Sequence, residues 1–225
     1  MLSIGKLTPG RADYYVEQVQ AGQDEYYTGD QAEPGHWVGK AAGRLGLEGE
    51  VSAEAFRRIL DARDPTSGEP LGVPATTAKR LAGFDLCFSA PKSVSVAWAL
   101  GLPDLAGAIA AAHDRAVAQA VEAIEAEVVR ARRGIGGQVL VETEGLVGAA
   151  FPHRSSRAGD PQIHTHLVVA NATPDDQGRW SALDGARLYR WTKTVGYLYQ
   201  AALRAEMAEL GFAWGPVRKG CADLA

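Results

Sequence analysis

Cysteine is almost absent from this chain: Cys87 and Cys221 are the only two in 225 residues. That excludes a disulfide framework and a thiolate metal site, and it fits a reducing compartment. No stretch approaches the roughly 20 consecutive apolar residues that a bilayer-crossing helix needs, so no membrane insertion is expected. The opening "MLSIGKLTPGRADYY" lacks an apolar core followed by small cleavage-site residues, so no signal peptide is expected and the chain should stay in the cytoplasm. Excess positive charge is missing too: the net charge is -4 and the pI is near 5.8. Nucleic-acid binding driven by bulk charge is thereby disfavoured, and any such binding must use a local basic surface.

What is present suits an ordinary globular protein, one large domain or two small ones, able to bury a core without staples. "ADYYVEQVQAGQDEYYTGD" reads as short helical turns around a glycine break. Residues 33 to 80 read as irregular, apart from a helix at "SAEAFRRILDA" and the Pro/Gly-rich loop "RDPTSGEPLGVP". "FDLCFSAPKS" alternates like a strand until Pro91, which suits the start of a helix through "KSVSVAWAL". Residues 103 to 133 have alanine-rich helical periodicity ending at Gly134, and "QVLVET" with "LVGAAF" reads as a hairpin across a Glu-Gly turn. "TPDDQGRW" is a turn, 183 to 211 a helix, and "FAWGPV" the start of a further strand. Hairpin-joined strands beside long helices imply an α+β fold, with helices packed on a mainly antiparallel sheet.

Histidine is scarce as well, yet three of the five fall within fourteen residues: His153, His164 and His166. In the strand-like "PQIHTHLVVANAT", His164 and His166 point the same way and Thr165 the other. If "LVGAAFPH" pairs antiparallel with "QIHTHLVV", the connecting loop returns His153 beside them. Three neutral imidazoles that leave coordination positions open make a catalytic rather than a structural metal pattern. An amidohydrolase barrel would need many more βα units after the pair, and a cupin would need a glutamate that "LVVANATP" lacks.

Four of the seven tyrosines form two doublets, Tyr14-Tyr15 and Tyr26-Tyr27. A phenol becomes a nucleophile when a base or cation stabilises its phenolate, and against phosphorus it gives a phosphotyrosine. Asp85, flanked by Phe84, Leu86 and Phe88, is the candidate acceptor to orient one metal-binding imidazole or to take a tyrosine proton. For DNA, a groove combining Lys92, Arg154, Arg157, Arg190 and Lys193 with a stacking aromatic such as Trp191 is expected, favouring single strands and weakening with salt.

In order and spacing, "MLSIGKLT", "DYY", "DEYYTGD", "FDLCFSAPKSVS", "AHDRAV" and "PQIHTHLVVANAT" resemble the TrwC/MobF-type conjugative relaxases over the whole chain. The resemblance implies a histidine–hydrophobe–histidine (HUH) endonuclease fold and a divalent cation, Mg2+ or Mn2+ first and Zn2+ or Ni2+ as alternatives. It also implies strand-specific nicking and rejoining of single-stranded DNA at a transfer origin, alongside other relaxosome and conjugation proteins. Carried over, Tyr14 matches the principal nucleophile and Tyr26 the tyrosine of a later strand transfer, with Tyr15 and Tyr27 their doublet partners. Asp85 matches the acidic residue beside the metal, and His153, His164 and His166 the ligands. Thr165 departs from the motif, standing where a bulky hydrophobe is expected. Residues 1 to 225 are expected to be one relaxase domain at the front of a longer chain, often followed by a helicase, with the segment that closes over DNA incomplete. The alternatives are a rolling-circle replication or transposition nuclease of the same chemistry, and an inactive single-stranded DNA-binding relic.

Overall fold

The alternation in 161–170 is resolved as a strand whose two faces have different partners. The structure is a computed structural model that describes residues 1–8, 13–17, 19, 33–72, 81–156 and 158–225. Its elements are β1 (Leu2–Leu7), α1 (residues 13–17), β2 (His36–Val38), α2 (Lys40–Arg44), α3 (Ala53–Leu60), β3 (Gly83–Ser89), α4 (Lys92–Leu100), α5 (Pro103–Ala123), a π turn (Ile124–Val128), β4 (Ala131–Arg133), β5 (Val139–Val141), β6 (Gly148–Ser155), β7 (Pro161–Ala170), β8 (Thr173–Pro174), β9 (Trp180–Ser181) and α6 (Gly185–Glu209). Five strands form an antiparallel sheet in the order β1-β3-β7-β6-β2, which is the expected α+β arrangement.

The period of two divides the sheet between two layers. Phe84, Leu86 and Phe88 of β3, with Ile163, Leu167 and Val169 of β7, pack under α5 and α6 in the largest apolar cluster. On the other face Leu7, Ala149, Phe151 and Val168 meet Tyr15, Val16 and Val19, together with Phe56 of α3. That second cover stops short of the N-terminal half of β7, where His164 and His166 are only half-buried. The helices start where their caps dictate. Ser52 accepts from Ala55 N–H at the start of α3, Pro103 opens α5, and Asp184 accepts from Arg187 N–H at the start of α6.

Four sequence expectations are corrected. The long helix ends at Ala123 rather than at Gly134, because the chain loosens into the π turn, where Glu125 Oε1 accepts the backbone N–H groups of Lys40 and Leu146 at 2.8 and 2.9 Å. The expected hairpin of 138–143 with 146–151 does not form: β5 pairs back with β4, through a turn whose Gly134, Gly136 and Gly137 take φ of 77, 66 and 66°, and β6 pairs with β7 and β2. Residues 212–217 make one isolated bridge, Trp214 to Leu224, rather than a strand. The stretch 33–72, expected to be irregular outside one helix, also holds β2 and α2. Both are too short to show a period.

Within the main core lies one fully buried imidazole, His113 on α5, whose pKa burial pushes down to about 3. The unfolded chain takes up that proton near pH 6.5, while the folded chain refuses it until about pH 3. The stability it supports is therefore fully present above pH 6.5 and is lost as pH falls through that window. His153 shifts in the same direction. The urea midpoint should fall steadily from pH 7 to pH 4.5, on the order of a few kcal/mol in total. A midpoint flat over that range would contradict it.

Candidate functional site

Register brings the three histidines together. His153 is opposite His164 across β6 and β7, and His166 is opposite Cys87 on β3 and Phe151 on β6. A β-bulge between His153 and Ser155 lies at the point where β6 reaches the site. The ring centroids are 5.1 Å apart for His153 and His164, and 5.3 Å for each of the other two pairs. Thr165 faces away from the imidazoles, into the core, as alternation requires.

Asp85 is two residues along β3 from Cys87, on the same face. Its Oδ1 is 2.8 Å from His166 Nδ1, and its Oδ2 accepts the Tyr15 hydroxyl at 2.7 Å. That hydroxyl is also 3.2 Å from His166 Nδ1. His164 Nδ1 is 3.0 Å from the Gln162 carbonyl. The Nδ1 atoms of His164 and His166 are thus occupied by oxygen acceptors, which leaves their Nε2 atoms as the donors toward the centre.

These contacts divide the titration of the site. Burial, then the neighbouring His166 and His164, pushes the His153 pKa down to about 4, and burial lowers that of His164. Burial acts downward on His166 as well, but the Asp85 carboxylate outweighs it and holds the pKa at about 10. Burial and Asp85 push the Tyr15 phenol well above its ordinary value, so it stays a proton donor.

A divalent cation fits this donor set. Three imidazoles on one tetrahedral ion, with metal–nitrogen distances of about 2.1 Å, would have ring centroids about 5.3 Å apart. The observed spacings match. Among the described residues no three His, Cys, Asp or Glu groups are already drawn into full coordination geometry. The fit therefore rests on ring spacing and on the oriented Nδ1 atoms.

The remaining expected residues are distributed as follows. Tyr14 is 54% exposed, its ring edge-on to Tyr15 at 5.5 Å. Tyr26, Tyr27 and Arg157 lie outside the described residues. Lys92 opens α4 beside the site, ion-paired with Asp160 and donating to the Pro161 carbonyl. Arg154 is turned away, its guanidinium held by Glu33 at 2.7 to 3.1 Å and only 13% exposed. Arg190, Trp191 and Lys193 are on α6, in the helical layer on the far side of the sheet, and Trp191 packs against the main core. The single basic groove expected from the sequence is thus not assembled among the described residues, because carboxylates and the sheet itself separate its members. The sequence reading missed the Gln162 carbonyl, and it offered Asp85 to an imidazole or to a tyrosine without showing that His166 and Tyr15 share it. A backbone acceptor leaves no trace in composition, and the second depends on a pairing seventy residues apart.

Asp85→Asn removes the charge that orients His166, so it should weaken divalent-cation binding about 10- to 100-fold, as measured by calorimetric titration. Alanine at His153, His164 or His166 should weaken it at least as much. Unchanged affinity in the Asp85 variant would show that the carboxylate does not orient a ligand.

Comparison with known proteins identifies the family. The TrwC relaxase family model matches residues 9–225. The multifunctional conjugation protein TraI of Escherichia coli is 34% identical over 220 residues, covering 93% of this chain and 12% of TraI, and TraI of strain K12 is 34% identical over 224 residues. The chain therefore spans about an eighth of the length of those relatives. The metal-bound structure of the conjugative relaxase TrwC in complex with OriT DNA superposes with a TM-score of 0.85 at 36% identity, over 100% of this chain and 75% of that one. The copper-bound TrwC complex gives 0.84 at 37% with the same coverage, and the complex with a 27-mer comprising the recognition hairpin and cleavage site gives 0.83 at 36%. With a family match that takes in every described site residue, the chain belongs to the TrwC relaxases.

Proposed function

We propose that residues 1–225 nick and rejoin single-stranded DNA at a conjugative transfer origin, with Tyr14 as the first nucleophile. The observation that carries this reading is the convergence of three imidazoles, an orienting carboxylate and a tyrosine doublet on one open face of the sheet. The TrwC structures in complex with OriT DNA, some of them metal-bound, support the substrate class and the cation.

His153, His164 and His166 would hold the cation, which when bound supplies charge neutralisation at the nonbridging phosphate oxygens. The chain's own residues do the rest. Asp85 fixes the His166 ring and takes the Tyr15 hydroxyl, so Tyr15 is tied down as a donor beside the site. Tyr14, exposed next to it, is the phenol that can reach a strand lying across the imidazoles. Its oxygen forms a bond to phosphorus while the bond to the 3′-oxygen breaks. The phenol proton is given up, and the 3′-oxygen leaves with a proton as a hydroxyl. One phosphodiester replaces another, so the step is close to thermoneutral and reversible, as rejoining requires. Mg2+ or Mn2+ suits the phosphoryl chemistry, while imidazole donors also accept Zn2+ or Ni2+. Tyr26 is assigned to a later strand transfer, with Tyr27 as its doublet partner. The protein would act in the cytoplasm with other conjugation proteins; among the described residues no helix is long and apolar enough to cross a membrane.

The test is covalent capture on a panel of single-stranded transfer-origin oligonucleotides. Wild type should give a shifted protein–DNA band that depends on divalent cation. Tyr14→Phe should bind the oligonucleotide but lose nearly all of the adduct, whereas Tyr26→Phe should still make the first cut. DNA mapped to Tyr26 or Tyr27 in the first turnover, with Tyr14 unmodified, would overturn the assignment. Binding without any adduct across the panel would favour a DNA-binding relic.

A further inference from the structure

Behind the histidine strand the otherwise apolar core contains a set of fully buried polar side chains. Ser95 of α4, His113 of α5 and Tyr199 of α6 are all 0% exposed, and Thr165 of β7 is 2% exposed. Their hydrogen bonds converge on the residues flanking His164. Ser95 Oγ accepts the backbone N–H of Ile163 at 3.0 Å and itself donates to the Pro91 carbonyl at 3.4 Å. His113 Nε2 shares a hydrogen bond of 2.9 Å with Thr165 Oγ1, and its Nδ1 shares one of 2.9 Å with the Tyr199 hydroxyl. The Tyr199 ring packs on Phe88 at 5.3 Å, between the site-facing Cys87 and Ser89 of β3. Three helices thus each send a polar group to this corner of the sheet.

An apolar core would hold β7 against the helices with no polar atom to satisfy. Packing resists compression, but it lets a strand slide or twist by small amounts, whereas a hydrogen bond fixes distance and direction together. Two imidazoles on alternate residues need that restraint, because a site tolerates only about 0.5 Å of drift in its ligands. We infer that Ser95, His113, Thr165 and Tyr199 form a clasp that sets the position and twist of β7 from behind, and so positions His164 and His166. They are positioning residues that touch neither cation nor DNA. The inference rests on the metal-assisted reading above for its consequence, but the clasp can be tested without metal.

Two substitutions at one position separate clasp from packing. Thr165→Val keeps the shape and loses the hydroxyl, while Thr165→Ser keeps the hydroxyl and loses a methyl. Each is titrated with Cu2+, its copper electron paramagnetic resonance spectrum is recorded, and amide hydrogen exchange at 163–167 is measured on metal-free protein. The Val variant should bind copper about 10-fold more weakly, with an altered hyperfine splitting and faster exchange at 163–167. The Ser variant should stay within about 2-fold of wild type, with its spectrum unchanged. Should Thr165→Val fail to fold with His113 left unpaired, the variant Thr165→Val/His113→Phe/Tyr199→Phe removes every orphaned partner. It should unfold at a urea midpoint close to wild type yet still bind copper weakly. Equal losses in the Val and Ser variants, or wild-type copper binding in the triple variant, would overturn the clasp. If wild type itself binds no copper, the metal reading falls and the exchange data decide: selective loss of protection with Val upholds the clasp, and equal protection in the two variants overturns it.

Discussion

β7 carries imidazoles toward one side of the sheet and core side chains toward the other, and the strand period of two makes these a single decision. A slip of one residue would bury His164 and His166 under α5 and α6 and turn Ile163, Thr165 and Leu167 out to the open face. The apolar cost of that slip is what protects the site. The same register sets His153 against His164 across β6, and Cys87 against His166 across β3, which leaves Asp85 two residues away with its carboxylate on the His166 ring. The metal-binding candidate is in this sense a by-product of core burial on the reverse face.

Much of this was legible because it is local or periodic. The strands containing Asp85 and the histidine pair alternate visibly, the N-terminal half of α5 is alanine-rich with a proline at its start, and the antiparallel return of His153 follows from a short loop. What was misread depends on distant partners. Nothing in 124–133 announces that Glu125 will satisfy backbone donors of Lys40 and Leu146 and thereby end the helix early. The expected hairpin of 138–143 with 146–151 lost to the β4–β5 hairpin because three glycines at positive φ make the nearer turn easier than the Glu-Gly turn. Thr165 read as a departure from a hydrophobic motif. The fold shows it paired with a histidine fifty-two residues away, a relation that no spacing rule contains.

The charges tell a similar story. A chain of net charge -4 has few cations to spare for a phosphate backbone, and several of them are engaged internally. Arg133 and Arg179 hold the buried carboxylate of Asp175, Arg187 caps the carbonyls of Glu127 and Val128, Arg130 pairs with Glu142, and Arg154 lies under Glu33. Exposed pairs such as Lys92 with Asp160 contribute at most about 1 kcal/mol and break readily, so a phosphate could displace the carboxylate there. Arg154, bidentate and largely buried, would have to leave a better partner.

The tyrosine doublet shows how one short segment can supply two different phenols. Adjacent residues on a helical turn point about 100° apart, so one can enter the sheet while the other stays outside. Tyr15 enters and exchanges its solvent for Asp85, Phe151 and the His166 ring, and both burial and the carboxylate then hold its proton in place. Tyr14 stays outside, with its ring braced edge-on against Tyr15. The buried phenol anchors the segment beside the His166 ring, and the exposed one packs against that anchor. A doublet achieves this with no further element, since each tyrosine supplies what the other cannot: fixed position from one, an exposed ring from the other.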